Sequence, residues 1–426
     1  MLIGPAVRRV AIVGGVRIPF ARGMGAYFGV GNQQMLTAAL QGVVERFGLA
    51  GERLGEVAAG AVIKHSSQWN LARECVLGSG LHPATPAFDL QRACGTSLEA
   101  AIQVANKIAL GQIDAGIAGG SDSVSDAPIV YPHAYQQLLL ESARGRSLGA
   151  RLKPWLGLRP SFFKPVAPAV IEPRTGLSMG QSCERMAREW DISRADQDAL
   201  AAESHHRAAA GYAAGFYADL IVPFAGLEAD NLLRPDTSVE KLAKLAPVFD
   251  RAGGTLTAGN STALTDGAAA VLLASEDWAR ARGLPVLATL STAAVAAVDF
   301  VGHEGLLMAP AYAVPKLLTA RGLRLQDFDY YEIHEAFAAQ VLCTLKAWES
   351  EAFCRERLGL PAALGAIDRA KLNVVGSSLA LGHPFAATGA RILATLAKLL
   401  AERGGRRGLV SVCTAGGMGV TAIVEC

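Results

Sequence analysis

Two rhythms of apolar residues alternate along this chain. Short continuous apolar runs of strand length give way to longer stretches where apolar residues recur every three or four positions. Val10–Val16 and Glu56–Ile63 predict buried strands, with a helix over Gln34–Phe47 between them. A short strand from Phe88 runs into a turn at Cys94. Beyond it Leu98, Ala101, Ile102, Ala105 and Ile108 recur at helical spacing until Gly111 stops the run. Ala115–Gly119 reads as another short strand. The second half follows a similar order. Leu287–Ala296 is strand-like and Ala313–Arg321 helical. Tyr330–Ile333 is a strand that meets a turn at His334, with a helix after it. Leu372–Gly376 is a strand leading to a turn around His383, and a helix with Ile392, Leu396 and Leu399 follows, ended by Gly404 and Gly405. Gly408–Cys413 and Val420–Glu425 close the chain as strands around a glycine-rich turn. Strands and helices in alternation define an α/β class. The similar order in the halves suggests a duplicated fold, although no residue-level repeat accompanies it.

One stretch breaks the pattern. From Ser125 to Pro173 the chain is rich in proline and arginine and poor in acidic residues, with Trp155, Leu156, Leu158, Phe162 and Phe163 among the basic positions. It reads as a long irregular segment, of the kind that covers or binds something.

Composition narrows the class. Of 426 residues 51% are hydrophobic and 18% charged, which suits a large core and a surface partly buried in an oligomer. A net charge of +2 gives no reason to expect nucleic acid. No apolar run is long enough for a membrane span, and the N-terminus leaves no room for a signal peptide. Seven cysteines, an odd number without any Cys-x-x-Cys pair, fit a reducing, cytoplasmic setting and neither a disulfide framework nor structural zinc.

Four residues stand out chemically. Cys94 lies between a short strand and an amphipathic helix, among Gly95, Thr96 and Ser97. A thiol there meets backbone N–H groups and a helix dipole that favour a thiolate and could hold an oxyanion. His383 sits in a stiff turn between Gly382 and Pro384, where an imidazole can serve as a base. Cys413 ends a strand ahead of Gly416, Gly417 and Gly419, which let the backbone approach a ligand closely. His334 opens a His-Glu-Ala-Phe-Ala run, and Ala338 stands where a zinc-protease helix would need its second histidine. Taken singly, each is more ordinarily a packed thiol, a hydrogen-bonded histidine or a turn residue.

Taken together and in this order, they resemble the thiolase family. The Cys94 segment is similar to its nucleophile loop, His334–Ala338 to its Asn/His-Glu-Ala-Phe block, Gly382–Gly389 to its Gly-His-Pro block, and Cys413–Gly419 to its terminal cysteine–glycine block. Ser178–Glu184 and Gly254–Gly267 agree as well, so the resemblance runs over nearly the whole chain. It implies a layered α-β-α-β-α fold with two similar halves: residues 1–124 resuming at about 262–285, an inserted loop domain over 125–261, and a C-terminal half over 286–426.

The resemblance also implies an activity: cleavage of a 3-ketoacyl-CoA by free CoA through an acyl-enzyme on Cys94. His383 would take the Cys94 proton and Cys413 would protonate the departing enolate. The backbone N–H groups of Cys94 and Ala415 would stabilise one oxyanion; His383 and a water held by His334 would stabilise the other. Ala415 stands where many members have glycine. Met179 and Phe337 would line the acyl pocket, and Ala258 and Thr262 the pantetheine arm. CoA is a substrate, and neither a metal nor another cofactor is implied. Histidine at position 334, where many members carry asparagine, together with Ser178 and the segment Leu306–Pro315, resembles the thiolase subunit of trifunctional fatty-acid oxidation complexes. A homodimer or larger assembly follows, with a hydratase/dehydrogenase α subunit as a candidate partner. The basic segment is then open to three uses: attracting CoA phosphates, covering an acyl chain, or docking a partner subunit or membrane surface. Two rivals are a biosynthetic acetoacetyl-CoA thiolase and a non-catalytic thiolase-like lipid-binding protein. Ketoacyl-ACP synthases share the fold, but Cys413 in its glycine turn argues against them.

Overall fold

A computed structural model of the protein describes residues 7–302 and 304–426. Ten strands are present among them: β1 Val10–Arg17, β2 Ala21–Arg22, β3 Glu56–Gly60, β4 Ala87–Asp89, β5 Ala115–Asp122, β6 Thr265–Ser275, β7 Ala288–Ala297, β8 Tyr330–Ile333, β9 Arg407–Thr414 and β10 Met418–Glu425. Their order is β4-β3-β5-β6-β1-β7-β10-β9-β8, with β2 set against β6. Within the first half the order is third, second, fourth, fifth, first. The second half, β7-β10-β9-β8, mirrors it from its own first strand outward but has no counterpart of the edge strand β4 among the described residues. The two first strands meet at the centre, where Ala11 pairs Thr289 and Ile12 pairs Ala288. Each half has a parallel pairing at its outer edge (β3 with β4 and β5, β8 with β9) and antiparallel pairings within. This is the duplicated topology that the order of elements suggested.

The layers follow from which side chains each strand buries. β6 is covered on both faces. Ala268, Ala270, Leu272 and Ala274 pack outward with the helices Asn32–Arg46 and Leu71–Gly78. Ala269, Val271 and Leu273 pack inward. In β9, Val410 and Val412 face the same inner layer, while Leu409 and Cys413 face the outer helices Ala309–Arg321 and Ala338–Glu349. The inner layer is built on two helices, Thr96–Ala109 and Thr388–Arg403. Every residue from Thr388 to Leu400 is buried. The β6 run is long and rich in alanine and leucine, which fits a buried helix as well as a buried strand, and so it left little trace in the pattern.

Two expectations need correction. Leu372–Gly376 is no strand: only Leu372 pairs, with Tyr331. The Asn373 side chain takes the place of a ladder, accepting from Ile333 N–H at 2.9 Å and donating to Ile333 C=O at 2.9 Å, and the chain is released into a turn at Gly376. The segment from Ser125 to Pro173 is less irregular than its prolines suggested. It forms the helices His133–Arg144 and Leu148–Leu152, then 3₁₀ turns over Lys153–Gly157 and Pro160–Phe163, where proline sits at the tolerated first positions. Tyr135 collects Tyr131, Trp155, Phe162 and Phe163 around its ring at centroid distances of 4.9–6.5 Å. Those aromatic residues therefore pack on one another.

The two inner helices touch at their N-terminal ends. A Cβ on Gly389 would lie 2.4 Å from the backbone nitrogen of Leu98, and the Ala390 N–H donates to Ser97 Oγ at 2.8 Å. Backbone cannot yield as a flexible side chain can. Gly389→Ala is expected to destabilise the protein by about 1–3 kcal/mol, read as a lower denaturant midpoint; an unchanged midpoint would contradict this packing.

Candidate active site

The same contact brings the chemistry together. Cys94 lies one residue before Gly95, the cap of the first inner helix, and His383 lies five residues before Thr388, the start of the second. The turn holding Cys94 is tight. Ala93 has φ of 44°, and Thr96 Oγ accepts from Arg92 N–H and donates to Ala93 C=O. A Cβ on Gly95 would meet Val420 at 2.8 Å, so the nucleophile turn is pressed onto β10.

His383 Nε2 stands 3.1 Å from Cys94 Sγ. Its Nδ1 is anchored on Thr388 Oγ at 2.6 Å, and its backbone N–H donates to Thr265 Oγ at 3.1 Å. With Nδ1–H donated to Thr388, the Nε2 lone pair faces the thiol. Asp122, at the end of β5, fastens the surrounding loops: its carboxylate accepts from the N–H groups of Val62, Ile63 and Ala386. Burial raises that carboxyl to about 7, against the pull of those N–H groups.

His334 follows β8, and its ring lies 4.1 Å from that of His383, centroid to centroid. Donor atoms of Cys94, His334 and His383 all lie within 4.8 Å of one another. One sulfur and two imidazoles at this spacing are also the donor set of a metal site. Cys413 is buried at the end of β9; burial holds its thiol well above the ordinary value, and the nearby Cys94 thiol adds to that shift. Two N–H groups favour charge on Cys94 Sγ, those of Ala415 and of Cys94 itself, the pair expected to form an oxyanion site. Ala415 is not among the positive-φ residues, whereas Gly416 and Gly417 adopt φ of 75° and 67°. Alanine is therefore accommodated there.

The electrostatics differ from the expected thiolate. Burial pushes the Cys94 thiol up to about 12, outweighing the N–H groups of Ala415 and Cys94. Burial and then Arg391 lower His383 to about 3. His334 is held well below its ordinary value by burial, then by His383 and Arg391. Both shifts favour a neutral thiol beside a neutral imidazole at rest. The helix dipole does not overcome desolvation here, because the thiol sits outside the cap in a packed turn.

The remaining expected residues are more dispersed. Met179 begins the helix Met179–Glu189 and packs in the same cluster as Phe337 and Cys413. Phe249 stands edge-on to Phe337 at 5.9 Å. Ala258 is exposed in the turn before Asn260. The Thr262 hydroxyl is already committed, donating to Ser378 C=O at 3.0 Å. Several residues that organise the site were not singled out in the sequence: Thr388, Ser378, Arg391, Asp122 and Glu172. Thr388 was within reach, since it lies inside the His383 motif. Glu172 gave no signal. It comes from the end of the basic segment and accepts from Gly416 N–H at 2.7 Å, steadying the glycine turn that carries Ala415.

Comparison with known proteins identifies the family. Residues 10–277 match the thiolase N-terminal domain and residues 284–426 the thiolase C-terminal domain. A 3-ketoacyl-CoA thiolase of Yersinia pestis is 43% identical over 423 residues, covering 98% of this chain and 97% of its own. The crystal structure of a Bacillus anthracis acetyl-CoA acetyltransferase superposes with a TM-score of 0.82 at 31% identity, covering 99% of each chain. That of human mitochondrial 3-ketoacyl-CoA thiolase superposes with a TM-score of 0.81 at 29% identity, again covering 99% of each. The chain belongs to the thiolase family. It is an enzyme, an acyltransferase.

A neutral pair has a kinetic signature. Alkylation of Cys94 by iodoacetamide should speed up steadily from neutral pH upward, because the thiolate fraction keeps growing until the thiol titrates near 12. A thiolate–imidazolium pair would instead give a reactive plateau reaching well below neutral, and such a plateau would refute the neutral resting state.

Proposed function

We propose that this protein is a degradative 3-ketoacyl-CoA thiolase. It cleaves a 3-ketoacyl-CoA with free CoA to acetyl-CoA and an acyl-CoA two carbons shorter. The observation that carries the reading is the 3.1 Å approach of His383 Nε2 to Cys94 Sγ beside the Ala415 and Cys94 N–H groups. The 43% identity to a 3-ketoacyl-CoA thiolase over nearly the whole chain supports the same direction.

The steps balance with the residues present. His383 Nε2 takes the Cys94 proton as the sulfur bonds to the 3-keto carbon. Charge thus appears only as the bond forms, where the N–H groups of Cys94 and Ala415 await it. The C2–C3 bond breaks and its electron pair leaves as an acetyl-CoA enolate. Cys413 gives that carbon its thiol proton. Free CoA then loses its own proton to the Cys413 thiolate and attacks the thioester on Cys94. The Cys94 sulfur departs and recovers its proton from His383, which is thereby neutral again. A covalent intermediate between two substrates gives ping-pong kinetics. The enolate oxygen is met by the newly protonated Nε2 of His383 and by the His334 side.

The proposal extends to setting and assembly. Exposed Met24, Phe28 and Trp69 are apolar surface of the kind that subunit contacts cover, in keeping with at least a homodimer. A hydratase/dehydrogenase subunit, which would supply the 3-ketoacyl-CoA, is the partner proposed. No helix among the described residues is long and apolar enough to cross a membrane. The cytoplasm is the compartment proposed, in keeping with bacterial relatives and free cysteines. Residues 125–261 are proposed as an insertion within the N-terminal half, in keeping with the lack of any named strand between Asp122 and Thr265 among the described residues.

Thiolysis of a series of 3-ketoacyl-CoA esters tests the function. Longer esters should turn over faster than acetoacetyl-CoA, and an acyl adduct should appear on Cys94 by mass spectrometry. Cys94→Ala should lose about 10⁴-fold or more in kcat, and His383→Ala about 10²- to 10⁴-fold. Turnover of acetoacetyl-CoA alone would favour the biosynthetic reading. No turnover, with or without the partner subunit, would favour a non-catalytic binding protein.

A further inference from the structure

His334 is fully buried, and its two ring nitrogens are treated differently by the protein. Nδ1 lies 2.8 Å from Ser378 Oγ. Nε2 has no hydrogen-bond partner among the described residues. A buried polar nitrogen left unpaired costs about 1–3 kcal/mol, so its state matters. A neutral imidazole carries one proton, and everything depends on which nitrogen holds it.

The neighbours decide. Arg391 is buried, 3.9 Å from the Glu332 carboxylate, and has donors only. Its guanidinium donates to Ser377 Oγ at 3.1 Å and to Ser378 Oγ at 2.7 Å. Ser378 Oγ therefore accepts from Arg391 and still has its own proton to place. Ser378 is fully buried, and among the described residues the acceptor recorded for that proton is His334 Nδ1. The Nδ1 lone pair is then occupied, and the ring proton must sit on Nε2.

We propose that Arg391 and Ser378 are positioning residues that lock His334 in the Nε2–H tautomer, so that a fixed N–H donor faces the Cys94–His383 cleft. This rests on the thiolase reading for its purpose, because the donor is what an enolate oxygen, or a water bound to it, requires. Asparagine, which many family members carry at this position, brings N–H donors whatever its surroundings. Histidine brings one only when its tautomer is set. The lock has a second consequence. A protonated Nε2 offers no lone pair, so the Cys94, His334 and His383 set lacks its third metal ligand while Ser378 holds the ring.

The test is ¹⁵N NMR of the full-length protein labelled at histidine, with the His334 ring signals assigned by their loss in His334→Asn. The expected spectrum shows a protonated Nε2 and an unprotonated Nδ1. Ser378→Ala should convert this to a mixture of tautomers, while Ser378→Thr, which keeps the hydroxyl, should retain it. In parallel, Ser378→Ala should lower kcat about 10- to 100-fold with little change in KM. In the His334→Asn background the same substitution should change kcat less than about twofold. A native spectrum with the proton on Nδ1 overturns the proposal even if Ser378→Ala does not fold. So does an Nε2–H population that Ser378→Ala leaves unchanged. An intact lock in a protein that cleaves no 3-ketoacyl-CoA would sink the thiolase reading and leave the lock standing; normal thiolysis with the proton on Nδ1 would do the reverse.

Discussion

The site depends on one close approach, that of Gly389 to the backbone of Leu98. Two helices meet there with no side chain between them, and Ser97 Oγ holds the Ala390 N–H across the gap. Each helix is the inner helix of its own half. Each is preceded by the turn that carries a reactive side chain. Were the helices held apart by the usual 8–10 Å between axes along their whole length, Cys94 and His383 would face each other without touching. Duplication thus supplies two equivalent helix ends, and one glycine lets them share a site.

Burial then sets the character of that site. The inner layer is closed on both sides by sheet, so charge is expensive within it. The fold answers with groups that are neutral at rest: a thiol raised to about 12 beside an imidazole lowered to about 3. What polarity remains is fixed in place. Asp122 gathers the backbone of two loops, Thr388 anchors His383, and Glu172 holds the glycine turn. Glu335, next to His334, accepts from Ser204, Asn373 and the Leu379 N–H, which ties the His334 loop to the segment bearing Ser378. Dipoles that need not reorganise stabilise developing charge better than mobile ones do. The same burial that suppresses the resting thiolate gives those dipoles their strength.

The sequence displayed this unevenly, and the reasons are physical. Strands and helices with one exposed face, such as Asn32–Arg46, kept their periodicity and were readable. β1 and β5, buried throughout, were readable as short apolar runs, whereas the longer alanine- and leucine-rich run of β6 fits a helix as well as a strand. Leu372–Gly376 looked like a strand because its residues are apolar, yet the Asn373 amide does the pairing through its side chain. Cys94, His334, His383 and Cys413 were conspicuous because reactive residue types among glycines are rare. Ser378 and Arg391 were not, since a serine beside a serine and an arginine within a helix are commonplace. Their part lies in hydrogen bonds between segments, which spacing does not encode. The N–H groups favouring a Cys94 thiolate were legible, but the desolvation opposing them is a property of the packed interior.

Thiolysis and condensation use identical groups in opposite order, so the direction of the chemistry cannot reside in the four reactive side chains. The overall fold does not separate them either: a Bacillus anthracis acetyl-CoA acetyltransferase and a human mitochondrial 3-ketoacyl-CoA thiolase superpose on this chain almost equally well, with TM-scores of 0.82 and 0.81. Discrimination between a short and a long acyl chain must come from the residues around the site. Two features here touch it from outside the duplicated halves' shared plan. Met179 opens a helix that packs in one apolar cluster with Phe337 and Cys413. Glu172 links the end of the basic segment to the turn bearing Ala415. A shift of that segment would therefore be felt at the Ala415 N–H beside the Cys94 sulfur.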